Sequence, residues 1–171
     1  MAHLDTPGVD AGTFSTEEVR PRTKPSKSTS RKIVFFPGQY KKPPSLATGF
    51  RSLELAHETP ARASLVASDV TEESFKVALE TWGNSTLYSA SATWLEHKLS
   101  SRDCQSGQFD THETAKGVVS FKTSKKRAQN ENKKTIHFRR EYKEDCEVVC
   151  WLNRIDTVSY THLTLPTKRI V

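Results

Sequence analysis

The chain has 171 residues, room for one or two small domains. Only 35% are hydrophobic and 27% are charged, so part of the chain is expected to stay outside any packed core. The formal net charge is +6, but the basic residues are scattered or sit in loop-like runs such as Lys125-Lys126-Arg127; without a basic helix or a recognised nucleic-acid motif, nucleic acid is not expected as a partner.

No apolar run approaches the ~20 residues that span a bilayer, so membrane insertion is not expected. The opening residues show no basic cap followed by an apolar stretch. No signal peptide is read there, and the expected location is the cytoplasm or a non-classical export route. The three cysteines, Cys104, Cys146 and Cys150, have neither a disulfide framework nor a zinc spacing. They are expected to be reduced thiols, with Cys150 buried in an apolar strand.

In chain order, residues 1–11 form a polar start expected to be flexible. The first strong strand signal is Ile33-Val34-Phe35, closed by Pro37-Gly38. Phe50, Leu53 and Leu55 predict a middle strand with an irregularity. Ala63, Leu65 and Ala67 alternate with Arg62, Ser64, Val66 and Ser68, which buries one face and turns Arg62 to the other. Phe75, Val77 and Leu79 repeat that pattern. Gly83-Asn84-Ser85 is a turn cluster, and Leu87 to Leu95 is the returning strand. Trp82 and Tyr88 thus flank a hairpin tip. Five or six short strands with turns every eight to twelve residues predict an all-β fold over residues 12–98, a sandwich or a barrel.

A partial second copy follows a linker at residues 99–106. Gly12-Thr13-Phe14-Ser15-Thr16 parallels Gly107-Gln108-Phe109-Asp110-Thr111, and Ile33-Val34-Phe35 parallels Ile136-His137-Phe138. Leu53 and Ile155 stand thirteen residues after Tyr40 and Tyr142. The copy runs over residues 107–157 and lacks a counterpart of Phe75 to Trp94, so on its own it is expected to fold poorly. Residues 158–171 resemble a translated sequencing adapter and are expected to be an artefactual tail; a short genuine strand is the alternative.

The run Phe75 to Trp94, together with Phe14-Ser15-Thr16, the Ile33 to Pro44 segment and Ala61-Arg62-Ala63, resembles the H-type lectin family. The second copy resembles it through Gly107 to Thr111, Val148 to Asn153 and Ile155-Asp156. The resemblance implies a small six-stranded antiparallel β-sandwich, multivalent and non-enzymatic, that assembles as a homotrimer. It implies binding of glycans of the galactose or N-acetylgalactosamine type between protomers, with agglutination and cell adhesion as associated roles. Onto this sequence it carries three carbohydrate-binding positions, Arg62, Trp82 and Tyr88. Two positions depart from the family pattern: the sugar-gripping aspartate falls near Lys24, and the residue after the tryptophan is Gly83. Lysine offers no acceptor to vicinal hydroxyls. A trimeric assembly or adhesion module that kept the fold and lost the sugar is therefore the alternative.

These residue types suit a sugar. An aromatic ring covers its C–H face, and an arginine gives planar, fixed donors to the hydroxyl rim. Trp82 and Tyr88 serve packing equally well, Arg62 alone would be a solvated strand residue, and Trp94 reads as core. Asn84-Ser85-Thr86 matches a glycosylation sequon, read as a chance match without a signal peptide. His57, His97, His112 and His137 show no metal-ligand spacing, and no nucleophile, phosphate-loop or dinucleotide motif is present. No catalytic residue, metal or cofactor is expected.

Overall fold

The computed structural model describes residues 9–24, 29–110, 135–139, 142 and 145–157. The chain divides into two units, Met1–Gln105 with Glu147–Val171, and Ser106–Cys146. Among the described residues, the first unit carries every strand. β1 is Val9–Ser15, β2 Ser30–Phe35, β3 Ser45–Leu55, β4 Ala61–Ser68, β5 Ser74–Glu80, β6 Leu87–His97 and β7 Arg154–Thr157. They form a three-stranded sheet in the order β1-β6-β3 and a four-stranded sheet in the order β2-β5-β4-β7. Every pairing is antiparallel. The expected all-β antiparallel sandwich is what the structure shows.

Period-two alternation builds the core. Phe75, Val77 and Leu79 are completely buried on the inner face of β5, and Ala63 and Leu65 do the same on β4. From β6, Ala90, Ala92 and Trp94 turn inward. Phe75 stacks on Phe36 with centroids 5.5 Å apart and meets Trp94 edge-on at 5.2 Å. Gly12 lies opposite Trp94 in the β1–β6 pairing, and a Cβ there would run into the indole. The expected irregularity in the middle strand is real: the β3–β6 register shifts between Phe50 and Ser52, and again between Glu54 and Leu55. On β2, Val34 faces the core while Ile33 and Phe35 face out, Phe35 being 73% exposed.

Between β1 and β2 the chain is pinned by Arg20. Its guanidinium donates to the carbonyls of Leu87 and Tyr88, both at 2.9 Å, and to the carbonyl of Lys24 at 3.0 Å; Nε reaches the buried Ser30 hydroxyl at 3.1 Å. One side chain thus ties the β1–β2 loop to the start of β6.

Residues 147–153 differ from expectation. They form no strand, and Cys150 is exposed rather than buried. A strand needs a neighbour for its backbone groups and a cover for its apolar face. Among the described residues no strand pairs with 147–153, and the residues that follow take the edge of the sandwich as β7. In the second unit the described residues carry no regular element; Phe138 meets Tyr142 edge-on at 5.4 Å, and Ile136 is exposed. The tail at 158–171 lies outside the described residues, as do Lys125-Lys126-Arg127, His112 and residues 1–8.

Candidate functional site

The outer face of β4 and the turn between β5 and β6 meet at Arg62. Strand alternation sends Arg62 away from the core, because Ala63 and Leu65 take the inner face. The turn is fixed from both ends. Thr81 Oγ1 donates to the Arg62 carbonyl at 2.7 Å, and the fully buried Ser85 Oγ donates to the Pro60 carbonyl at 2.5 Å. The Ser85 amide closes the turn on the Trp82 carbonyl at 3.3 Å.

Gly83 sits at φ +65°, and a Cβ there would lie 2.7 Å from Arg62 Nη1. The backbone conformation favours glycine, and the absence of a side chain leaves room for the guanidinium. The Gly83 departure therefore has a local cause: it lets Arg62 lie across the turn. Arg62 Nη1 donates to Asn84 Oδ1 at 3.1 Å. Its Nε donates to Asp156 Oδ1, also at 3.1 Å, in an ion pair whose arginine side chain is 20% exposed and whose aspartate is 48% exposed. Beside it, the Arg154 guanidinium lies 5.3 Å from the Trp82 ring centroid, within cation–π range.

Of the three residues singled out from sequence, the structure brings Arg62 and Trp82 to one turn. Tyr88 stands apart from them: no hydrogen bond, ion pair or ring contact joins it to either. It follows the β6 start at the second register shift and is 38% exposed. Its surroundings are the Arg20 guanidinium on its carbonyl and, from the next residue, the Ser89 hydroxyl, which donates to Glu54 at 3.0 Å. Glu54 also takes a two-point ion pair from Arg22, and that guanidinium, followed by Ser89, holds its carboxyl below the usual range. Lys24, where the family pattern has an aspartate, belongs to this side of the module through Arg20.

Sequence reasoning missed Asn84, Arg154 and Asp156 as partners of the site. Ile155-Asp156 enters the sequence reading only through its parallel with the first block. Nothing local to it names β4 as its neighbour. Among the described residues no group of three His, Cys, Asp or Glu side chains converges as a metal site would require, and no helix is long and apolar enough to cross a membrane.

Residues 31–95 match the family model of the H-type lectin domain. A curated protein of Fuscovulum blasticum, "ATP synthase subunits region ORF 7", is 27% identical over 62 residues, covering 36% of this chain and 54% of its own. The chain thus spans about half the length of that relative. Two solved structures of discoidin II of Dictyostelium discoideum, one recombinant and one wild type, align with a TM-score of 0.42 and 18% identity, over 56% of this chain and 38% of the discoidin chain.

Proposed function

We propose that residues 31–95 belong to an H-type lectin domain that binds carbohydrate without catalysis, through Arg62 and Trp82 at one turn and Tyr88 brought to them where two protomers meet, and that its ligands are glycans of the galactose or N-acetylgalactosamine type. The observation that carries the proposal is the turn at 82–84. It sets Trp82 directly before Gly83 and Asn84, the two residues against which the Arg62 guanidinium lies. A ring and a planar donor at one turn match the two chemical faces of a sugar. Asn84 adds an amide that can both give and accept hydrogen bonds at the same turn. Each such site is weak, since it must replace the water it displaces, and millimolar binding amounts to only about −4 kcal/mol. Useful strength then needs several sites engaged together, which suits a homotrimer and a role in adhesion or recognition.

The test is a titration of the full chain with multivalent N-acetylgalactosamine and galactose, alongside Trp82→Ala. Trp82 lies outside the cluster of buried core residues, so its truncation is expected to leave the fold intact and abolish binding. Unfolding of the variant would assign Trp82 to packing instead. A second reading is favoured by Lys24 and by the exposed Ile33 and Phe35 on the outer face of β2: a trimeric assembly module without sugar recognition. A folded trimer with flat titrations would select it.

A further inference from the structure

Both groups assigned to the sugar are already engaged. Arg62 gives its Nε to the Asp156 carboxylate, and Trp82 carries the Arg154 guanidinium within cation–π distance. Both partners belong to β7, where alternation puts them on one face with Ile155 between them. A carboxylate accepts from the arginine as sugar hydroxyls would, and a cation sits by the ring that a sugar C–H face would cover.

β7 is also the least embedded strand. It pairs with β4 at only four positions, Ala61 to Ser64, against ten between β3 and β6, and has no strand on its other side. It is led in by Trp151 and two backbone contacts along the sandwich edge: the amides of Phe50 on β3 and Leu65 on β4 donate to the carbonyls of Leu152 and Asn153, both at 2.8 Å. Trp151 stands against Gly49, in the space a Cβ would need. The ion pair is half open to water and therefore weak.

We propose that β7 is a ligand mimic: a strand from the second copy that occupies the sugar site of the first, so that glycan binding and strand docking on β4 exclude one another. This rests on the carbohydrate reading above. The apparent affinity for a glycan is then lowered by the fraction of molecules in which β7 is docked. The β4 edge is a peptide-accepting surface, and its occupant is an extended segment carrying arginine and aspartate two residues apart.

The experiment compares the full wild-type chain with Asp156→Asn and Ile155→Pro, using multivalent N-acetylgalactosamine and galactose as probes, with amide exchange at β4 followed in parallel. Asp156→Asn weakens the hold on Arg62. Ile155→Pro acts on the ladder: Leu65 donates to Asn153, so alternation makes Ala63–Ile155 the next hydrogen-bonded pair, and proline removes its donor. Both variants keep the Arg62 and Trp82 side chains themselves unaltered. Binding about threefold to tenfold tighter in both variants, with faster exchange at Leu65, supports the proposal. Unchanged affinity with Leu65 released overturns the mimic and leaves the lectin reading standing. Weaker binding overturns it as well, by making β7 part of the sugar site. No binding by any of the three chains, with Leu65 released in the variants, overturns the lectin reading and the mimic together.

Discussion

Gly49→Ala should free the segment 151–157 from the sandwich while leaving the sandwich folded. The new methyl group would fall where the Trp151 Cβ now lies. β3 cannot give way, because it is paired with β6 along ten positions, so the 151–157 segment must. The balance holding that segment is narrow. Trp151 is 41% exposed, so about 150 Å² of a large indole is covered, worth roughly 3.7 kcal/mol as an upper figure. The backbone contacts and the short ladder add about 4 kcal/mol, at ~1 kcal/mol per net hydrogen bond. The half-exposed ion pair and the cation–π contact add about 1–2 kcal/mol together. Against this, ordering residues 151–157 costs about 1–1.5 kcal/mol each, roughly 7–10 kcal/mol in all. The two sides nearly cancel, so loss of even half the Trp151 contact tips the segment to the released state. The assay is amide exchange at Phe50 and Leu65, whose protons are held by the segment's carbonyls. Both are expected to lose protection in Gly49→Ala, while Val77 and Leu79 keep theirs. Retained protection at Phe50 and Leu65 would refute the argument, as would loss of protection throughout β5.

Two further outcomes follow from the interior. Phe75→Ala removes a fully buried ring that contacts both Phe36 and Trp94, and is expected to cost about 3–5 kcal/mol in denaturant unfolding; a loss under about 1 kcal/mol would mean that the aromatic cluster is not the centre of the core. Glu96 is buried, and burial pushes its carboxyl above the usual range while the Tyr40 hydroxyl, donating at 3.1 Å, partly offsets this. With the folded value raised, its favourable contribution is complete below the unfolded value of ~4.3 and is lost as pH rises through the folded value. Glu96→Gln is therefore expected to be more stable than wild type at neutral pH and to lose that advantage in acid. Glu18 and Glu54, whose carboxyls are lowered by Lys32 and Arg22, act in the opposite sense and cancel in the comparison. Parallel melting profiles from pH 4 to 8 would show that Glu96 does not behave this way.

The sandwich was legible because its signals are local. Alternation on β4 and β5 named the inner faces, and the small residues Ala90 and Ala92 on the same face marked Trp94 as core. The same logic sent Arg62 outward and put Trp82 at the adjoining turn. Buried Glu96 left no such sign: a carboxylate in a strand reads as a solvated position until Tyr40 is seen across from it. The conformation of residues 147–157 was hidden for a different reason. Val148-Val149-Cys150 has the composition of a strand, but a strand also needs a free edge and a covered face, and both depend on segments far away in sequence. Asp156 is the clearest case, because its partner lies 94 residues away.

The docked segment also has a handedness of connection. On β6 the Ala90 amide donates to Thr16 Oγ1 at 3.1 Å, away from β3. Leu53, opposite Ala90, therefore turns its own backbone groups away from β6, toward the open side of its sheet. Ile155 is the counterpart of Leu53 in the sequence parallel with Tyr40 and Tyr142, and it directs its backbone groups at β4. The edge used for docking is thus the one that a β3-type strand leaves vacant. Donor edge and acceptor edge are different surfaces, so the joint is heterologous: it has a direction and no two-fold axis. Two copies that met symmetrically could not form it.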